Sequence, residues 1–285
     1  MISTPVLLAV LGAALLHAGW NAMVKSRADP LISMAWLSVA SGAAACIALP
    51  FAAVPPAAAW PYLAVSTALH TAYNLLLATS YRHGEFSRVY PIARGGAPLL
   101  VTLVSLAFLD EALGARALTA IGLILLAIVG VAWGRVGTGD ATAGPVDRSL
   151  PLAGLTALAI AGYTIADGLG GRAAGDPIGY LVWLFFLDAW PTILAILWLR
   201  HGRFRQTPRG DVARSLAGGL LSMLAYGIVV WAMSQAQVAV VAALRESSIL
   251  FAALISVIVL KERPGSVRLA AIVLLAAAVA LLRVS

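Results

Sequence analysis

Tyr90–Glu111 reads YPIARGGAPLLVTLVSLAFLDE. The stretch is apolar enough to lie in a bilayer, yet Arg94 sits within it, followed by Gly95 and Gly96 and bracketed by Pro91 and Pro98. Ala243–Glu262 reads ALRESSILFAALISVIVLKE. A shift of 151 positions lays Arg94 on Arg245, Ser105 on Ser256 and Glu111 on Glu262. An arginine deep in hydrocarbon is expensive. Its recurrence at one place in each half of the chain marks an internal repeat.

Composition agrees with a membrane setting. Of 285 residues, 61% are hydrophobic and 11% charged, whereas a soluble domain carries about a quarter charged residues. The apolar segments are about 20 residues long, the length a helix needs to cross roughly 30 Å of hydrocarbon. Short alternating strands, the mark of a membrane β-barrel, are missing from the pattern. The net charge of +7 comes from residues lying between the apolar runs. That is a topology signal, and no basic stripe interleaved with aromatics points to nucleic acid as a partner. The expected partners are the lipid bilayer and a small-molecule substrate, with the oligomeric state left open. Cys46 is the sole cysteine, so no internal disulfide can form, and its place in an apolar run predicts a buried, inert thiol. The first apolar run has no basic flank before it and carries His17, Trp20 and Asn21, so it reads as a retained helix, not a signal peptide.

Ten spans can be drawn, at about 5–24, 31–53, 59–81, 86–109, 113–134, 151–171, 178–199, 215–233, 238–260 and 267–282. Residues 135–150, rich in Gly, Thr, Asp and Pro, read as a linker between units 1–134 and 151–285. The repeat shows at further places. Ala18-Gly19-Trp20 matches Ala161-Gly162-Tyr163, Asp29-Pro30 matches Asp176-Pro177, Trp36 matches Trp183, and Tyr73 matches Tyr226. Five spans per half force the second half to insert upside down. The predicted fold is an all-α membrane protein, with ten transmembrane helices as two inverted five-helix repeats around a central cavity. Of the 19 Lys and Arg, 14 fall in the loops after odd-numbered spans and 3 on the other side, with Arg94 and Arg245 within spans. The basic side is expected in the cytoplasm of a multi-pass inner (plasma) membrane protein, with both termini outside.

The ionisable residues inside the spans are the candidate site. Arg94 and Arg245 each lie about 12 Å into their spans from opposite faces, at 1.5 Å per residue, which brings both near the midplane. A guanidinium fork binds carboxylate or phosphonate oxygens in pairs and stays charged. Two readings stay open: a clamp on an anionic substrate, or neutralisation by a protein carboxylate such as Glu246. His17, Trp20 and Asn21 share one helix face, as do Tyr163 and Asp167. Tyr73 and Asn74 on the third span, Tyr90 and Tyr226 complete the candidate substrate-binding set. His70 reads as a satisfied buried histidine. Gly95, Gly96 and the prolines predict a loosened or kinked fourth helix, or else close packing through small residues. Glu246, Asp167 and Asp188 are the candidate carboxyls for coupling protons to transport. There is no HExxH, Walker A or cysteine cluster, so no catalytic residue, cofactor or metal is expected.

HAGWNAMVK (17–25), YPIARGGAPLLV (90–101) with its closing LDE (109–111), and ALRESSILFAALISVIVLKE (243–262) together resemble EamA-type permeases of the drug/metabolite transporter superfamily. The resemblance spans essentially the whole chain. It implies a basket of ten helices, with spans one, three, four, six, eight and nine lining the cavity and five and ten outside it. It implies secondary transport, often outward, of small polar metabolites such as amino acids or organic anions. The HAxWN and YPIARG stretches are similar to permeases that accompany phosphonate-utilisation genes. The four-helix multidrug relatives carry a glutamate on their first helix. Here that helix holds His17 and no acid, which argues against cation-drug antiport. The alternatives are a hydrophobic drug exporter and a non-transporting membrane scaffold.

Overall fold

A computed structural model describes residues 2–24, 29–83, 86–109, 111–136, 149–200, 202–249, 251 and 266–284. At 22–24, 30, 78, 80–83, 86–92, 131–136, 149–150, 267–268 and 283–284 the backbone alone is described. The interior of the expected linker, residues 137–148, and the end of the ninth span with Ser256 and Glu262 lie outside the described residues. Among the described residues there is no strand. The chain forms α1 (Thr4–Val24), α2 (Pro30–Ala48), α3 (Trp60–His83), α4 (Phe86–Phe108), α5 (Ala115–Val136), α6 (Ser149–Ala174), α7 (Pro177–Arg200), α8 (Arg209–Gln235), α9 (Val238–Arg245) and α10 (Ser266–Val284). Five of these, α1, α2, α6, α7 and α8, contain stretches long and apolar enough to cross a membrane.

Local chemistry explains where helices start and stop. Asp29 caps α2 by accepting a hydrogen bond from the Leu31 amide at 3.1 Å, with Pro30 at the first position. Asp176 does the same for α7, accepting from the Ile178 amide at 3.0 Å ahead of Pro177. A carboxylate cap followed by proline is a start signal twice over, because it satisfies a free amide and presets φ. Gly175 ends α6 with φ +70, a conformation that favours glycine. α8 begins six residues before the expected 215, at Arg209. Pro208 precedes its first turn and Asp211 sits within that turn, where a negative charge suits the helix N-terminus.

Two features differ from the sequence reading. α4 runs unbroken from Phe86 to Phe108 despite its glycines and prolines. Gly95 and Gly96 serve close packing instead: a Cβ at Gly95 would lie 2.9 Å from Ile128 of α5, and one at Gly96 3.0 Å from Ala157 of α6. The interruption falls on the ninth span. α9 ends at Arg245, and Glu246 and Ser247 form a turn with amides bonded to Ala243 and Leu244 carbonyls three residues back. Cys46 is exposed rather than buried. It sits beside exposed Ile47 on the outer face of α2, while buried Ala45 faces inward.

The helices pack α3 on α6, α1 on α8, α5 on α10, α2 on α7, α4 on α6 and α2 on α8. All eight residues of α9 are buried, so this helix threads the centre of the bundle and is apolar on every side until Arg245. At the end where α4 and α8 finish and α9 starts, Glu111 accepts from the Val238 amide at 2.9 Å. Arg172, from the last turn of α6, donates to Glu111 at 3.0 Å and to the Met233 and Ala236 carbonyls at 2.9 and 2.8 Å. We call this the tied end.

The α2–α8 crossing is close enough to test. A Cβ at Gly219 would collide with the Leu37 carbonyl oxygen, a backbone atom that cannot rotate away. Gly219→Ala is expected to cost on the order of 1–3 kcal/mol by overpacking. Gly12→Ala, with open space around it, is expected to be neutral or stabilising. Melting of the purified variants in detergent checks the pair, and equal midpoints would contradict the close crossing.

Candidate functional site

Eight helices contribute to one cavity with an empty volume of about 840 Å³, open solvent at its mouth included. α1 supplies His17 and Trp20, α3 His70, Tyr73 and Asn74, α4 Arg94, α6 Tyr163, α8 Tyr226 and α9 Arg245. The wall also takes Met34, Leu37, Ser38 and Ser41 from α2 and Phe185 and Asp188 from α7, two helices outside the expected lining set. α5 and α10 pack on each other away from it. Of the α2 residues, Met34, Leu37 and Ser38 lie in its N-terminal half and Ser41 just past its middle, so the lining runs from mid-bundle toward the basic end, opposite the tied end.

Arg94 and Arg245 come together on this wall from α4 and α9, each only 4% exposed. Glu246, fully buried, stands between them. Its Oε1 lies 3.2 Å from Arg94 Nη2 and 3.8 Å from Arg245 Nε, so one carboxylate oxygen serves both cations. Neither contact is aligned as a hydrogen bond, and both Glu246 oxygens lack one among the described residues. Charge, not directed bonding, holds the triad. With two guanidiniums sharing one carboxylate, the triad itself is net positive. Arg245 also closes the last turn of α9, where the helix dipole favours a cation.

An aromatic shelf forms the neighbouring wall. His70 stacks on Tyr163 with ring centroids 3.9 Å apart and meets Tyr226 edge-on at 5.4 Å. Ser66 Oγ lies 3.1 Å from His70 Nδ1, which fixes the ring. Tyr73 meets Tyr163 edge-on at 5.6 Å, and His17 meets Trp20 edge-on at 5.2 Å. Asn74 donates to Thr192 at 3.3 Å, joining α3 to α7.

Three expected residues are placed differently, and a fourth is not described. Asn21 turns back to donate to the His17 carbonyl at 2.8 Å and is absent from the wall. Glu246 stands behind the two arginines. Asp167 is fully buried behind Tyr226 and accepts hydrogen bonds from Tyr180 and Tyr226. Tyr90 lies outside the described side chains. Sequence reasoning ranks His70 low and leaves Asp188, Ser38 and Ser41 out of the binding set. The signal for the serines is their i, i+3 spacing on an otherwise apolar helix.

Residues 148–284 match the EamA-like transporter family, so the second half of the chain is similar to EamA-type permeases. That family is one of membrane transporters of the drug/metabolite superfamily. A crystal structure of a protein matches with a TM-score of 0.79 at 16% identity, covering 99% of this chain and 98% of the other. That likeness is one of fold. No curated protein matches the chain.

Proposed function

We propose that the chain is a ten-span secondary carrier for a small polar metabolite bearing a carboxylate or phosphonate group. Two inverted repeats, 1–134 and 151–285, would rock against each other and expose the cavity to either side in turn. The observation that carries this reading is the pair of buried guanidiniums, at repeat-matched positions on one cavity wall, sharing a single carboxylate oxygen. An anion entering the cavity meets two guanidiniums in a setting of low dielectric, where charge attraction is strong. The interruption of the ninth span at Arg245 adds to it, since broken helices commonly border carrier sites.

The helix pairings support the repeat. Let α1 to α5 correspond to α6 to α10. The α3–α6 contact is then the image of α1–α8, α2–α8 of α3–α7, and α4–α6 of α1–α9. The α2–α7, α4–α9 and α5–α10 contacts map onto themselves. A two-fold relation between halves requires this matching of contacts.

The test is the melting of purified protein with methylphosphonate, acetate, glycine or an uncharged nucleoside. A ligand at a hundred times its Kd stabilises by about 2.7 kcal/mol. At least one of the anionic or zwitterionic compounds is expected to raise the midpoint, and the nucleoside is not. Stabilisation by the uncharged compound alone would defeat the anion reading.

A further inference from the structure

We propose that Asp167 is a proton-binding site of this carrier, reached from the cavity through the hydroxyl of Tyr226. The inference rests on the carrier reading for its purpose and on the geometry of α6, α7 and α8 for its substance. Asp167 is fully buried on α6. Its Oδ1 accepts from the Tyr180 hydroxyl of α7 at 3.0 Å, and its Oδ2 from the Tyr226 hydroxyl of α8 at 2.5 Å. The pocket is shaped for this. A Cβ at Gly170 would lie within 2.6 Å of the Tyr180 ring, so the missing side chain is what lets Tyr180 reach the carboxyl.

The charged and titratable groups on the helices packed against α6 include His70 and Tyr73 on α3, Arg94 on α4, Tyr180 and Asp188 on α7, Tyr226 on α8, and Arg245 on α9 with Glu246 just beyond it. Among the described residues no ion pair involves Asp167, and the hydroxyls around it, those of Tyr180, Tyr226 and Ser66, are neutral. A buried carboxylate without a cation is costly, and hydrogen bonds offset only part of that cost. Taking up a proton removes the charge. Glu246 is the poorer carrier, because neutralising it would take the shared counter-charge from two buried guanidiniums. Asp188 is on the cavity wall, but no relay stands between it and the cavity.

Tyr226 supplies the route. Its ring borders the cavity and its hydroxyl touches Asp167. A hydronium ion in the cavity gives a proton to the Tyr226 oxygen while the original Tyr226 proton passes to Asp167 Oδ2. The products are water, an intact tyrosine and a neutral carboxyl, so the step balances. The Asp167 Oδ2 hydrogen then donates to Tyr226, and the Tyr226 hydrogen turns to the cavity. Loading the proton thus turns Tyr226 from a donor to Asp167 into a donor toward the cavity.

Infrared difference spectra of purified protein, acid minus alkaline, test this with no substrate present. Wild type is expected to gain the carbonyl stretch of a neutral buried carboxyl, together with a shift of a tyrosine C–O band at the same midpoint. Asp167→Asn should lose both. Tyr180→Phe should keep the tyrosine shift, and Tyr226→Phe should lose it and move the carboxyl midpoint. A carboxyl band that survives in Asp167→Asn and vanishes in Asp188→Asn overturns the assignment, as does the lack of any titrating carboxyl band. Should Asp167→Asn fail to fold, Tyr226→Phe decides, since it removes one oxygen and keeps the ring; an unchanged midpoint and tyrosine band then defeat the proposal. Failure here leaves the anion reading standing, because that reading is judged by ligand melting.

Discussion

Glu246→Gln is expected to destabilise the protein by about 3–5 kcal/mol, the cost of removing one partner from a buried ion pair. The amide keeps the size and most of the shape, so packing is not what is lost. Arg94 and Arg245 lose the carboxylate that both approach, and two like charges are left close together in a buried setting. The comparison is Asp211→Asn, which breaks the Arg214–Asp211 pair on the first turns of α8. That pair measures 3.2 Å with Arg214 54% exposed, and such pairs contribute roughly 0–1 kcal/mol. Melting both variants in one detergent gives the contrast. A Glu246→Gln midpoint as close to wild type as that of Asp211→Asn would show that the arginines do not depend on Glu246.

Arg94→Lys and Arg245→Lys are expected to leave the melting temperature near wild type and to weaken anion binding ten- to a hundredfold. Lysine preserves the positive charge that Glu246 requires, so the charge of the triad is unchanged. It gives up the planar fork that holds two oxygens together. Losing a hydrogen bond to a charged group costs about 1.5–3 kcal/mol, which sets the expected loss of affinity. The measurement is the concentration of a stabilising anion needed for half its full effect on melting. If that concentration is unchanged in both variants, the arginines are structural charges and the anion sits elsewhere in the cavity.

Signals that are local in the sequence were the easiest to read. The Asp-Pro pairs at 29 and 176 marked two helix starts, since capping is a local bond between neighbours. The arginines stand out because charge in an apolar run is conspicuous, and both line the cavity. Other features depend on neighbours distant in sequence. Gly95 and Gly96 suggested a hinge, but Ile128 and Ala157 decide their role, and neither is near them in the chain. The interruption at Glu246 has no glycine or proline to announce it; its only mark is the polar run Arg-Glu-Ser-Ser within an apolar span. Asp167 does share a helical face with Tyr163, as its spacing requires. Tyr226 and Tyr180, from two other helices, close over it, so one residue meets the cavity and the other lies behind it.

The tied end bears on turnover. Among the described residues, Arg172 grips Glu111 and two carbonyls at the close of α8, Glu111 holds the first two amides of α9, and Gln237 donates to the Ala112 carbonyl. In a carrier that opens at that end, these helix termini cannot separate singly. The guanidinium, the carboxylate and the Gln237 amide must let go together, so opening has a threshold. None of these groups touches the cavity. The height of the threshold is therefore blind to the cargo. Cargoes that differ widely in affinity would be carried at similar top speed, with discrimination left to how often the cavity is filled.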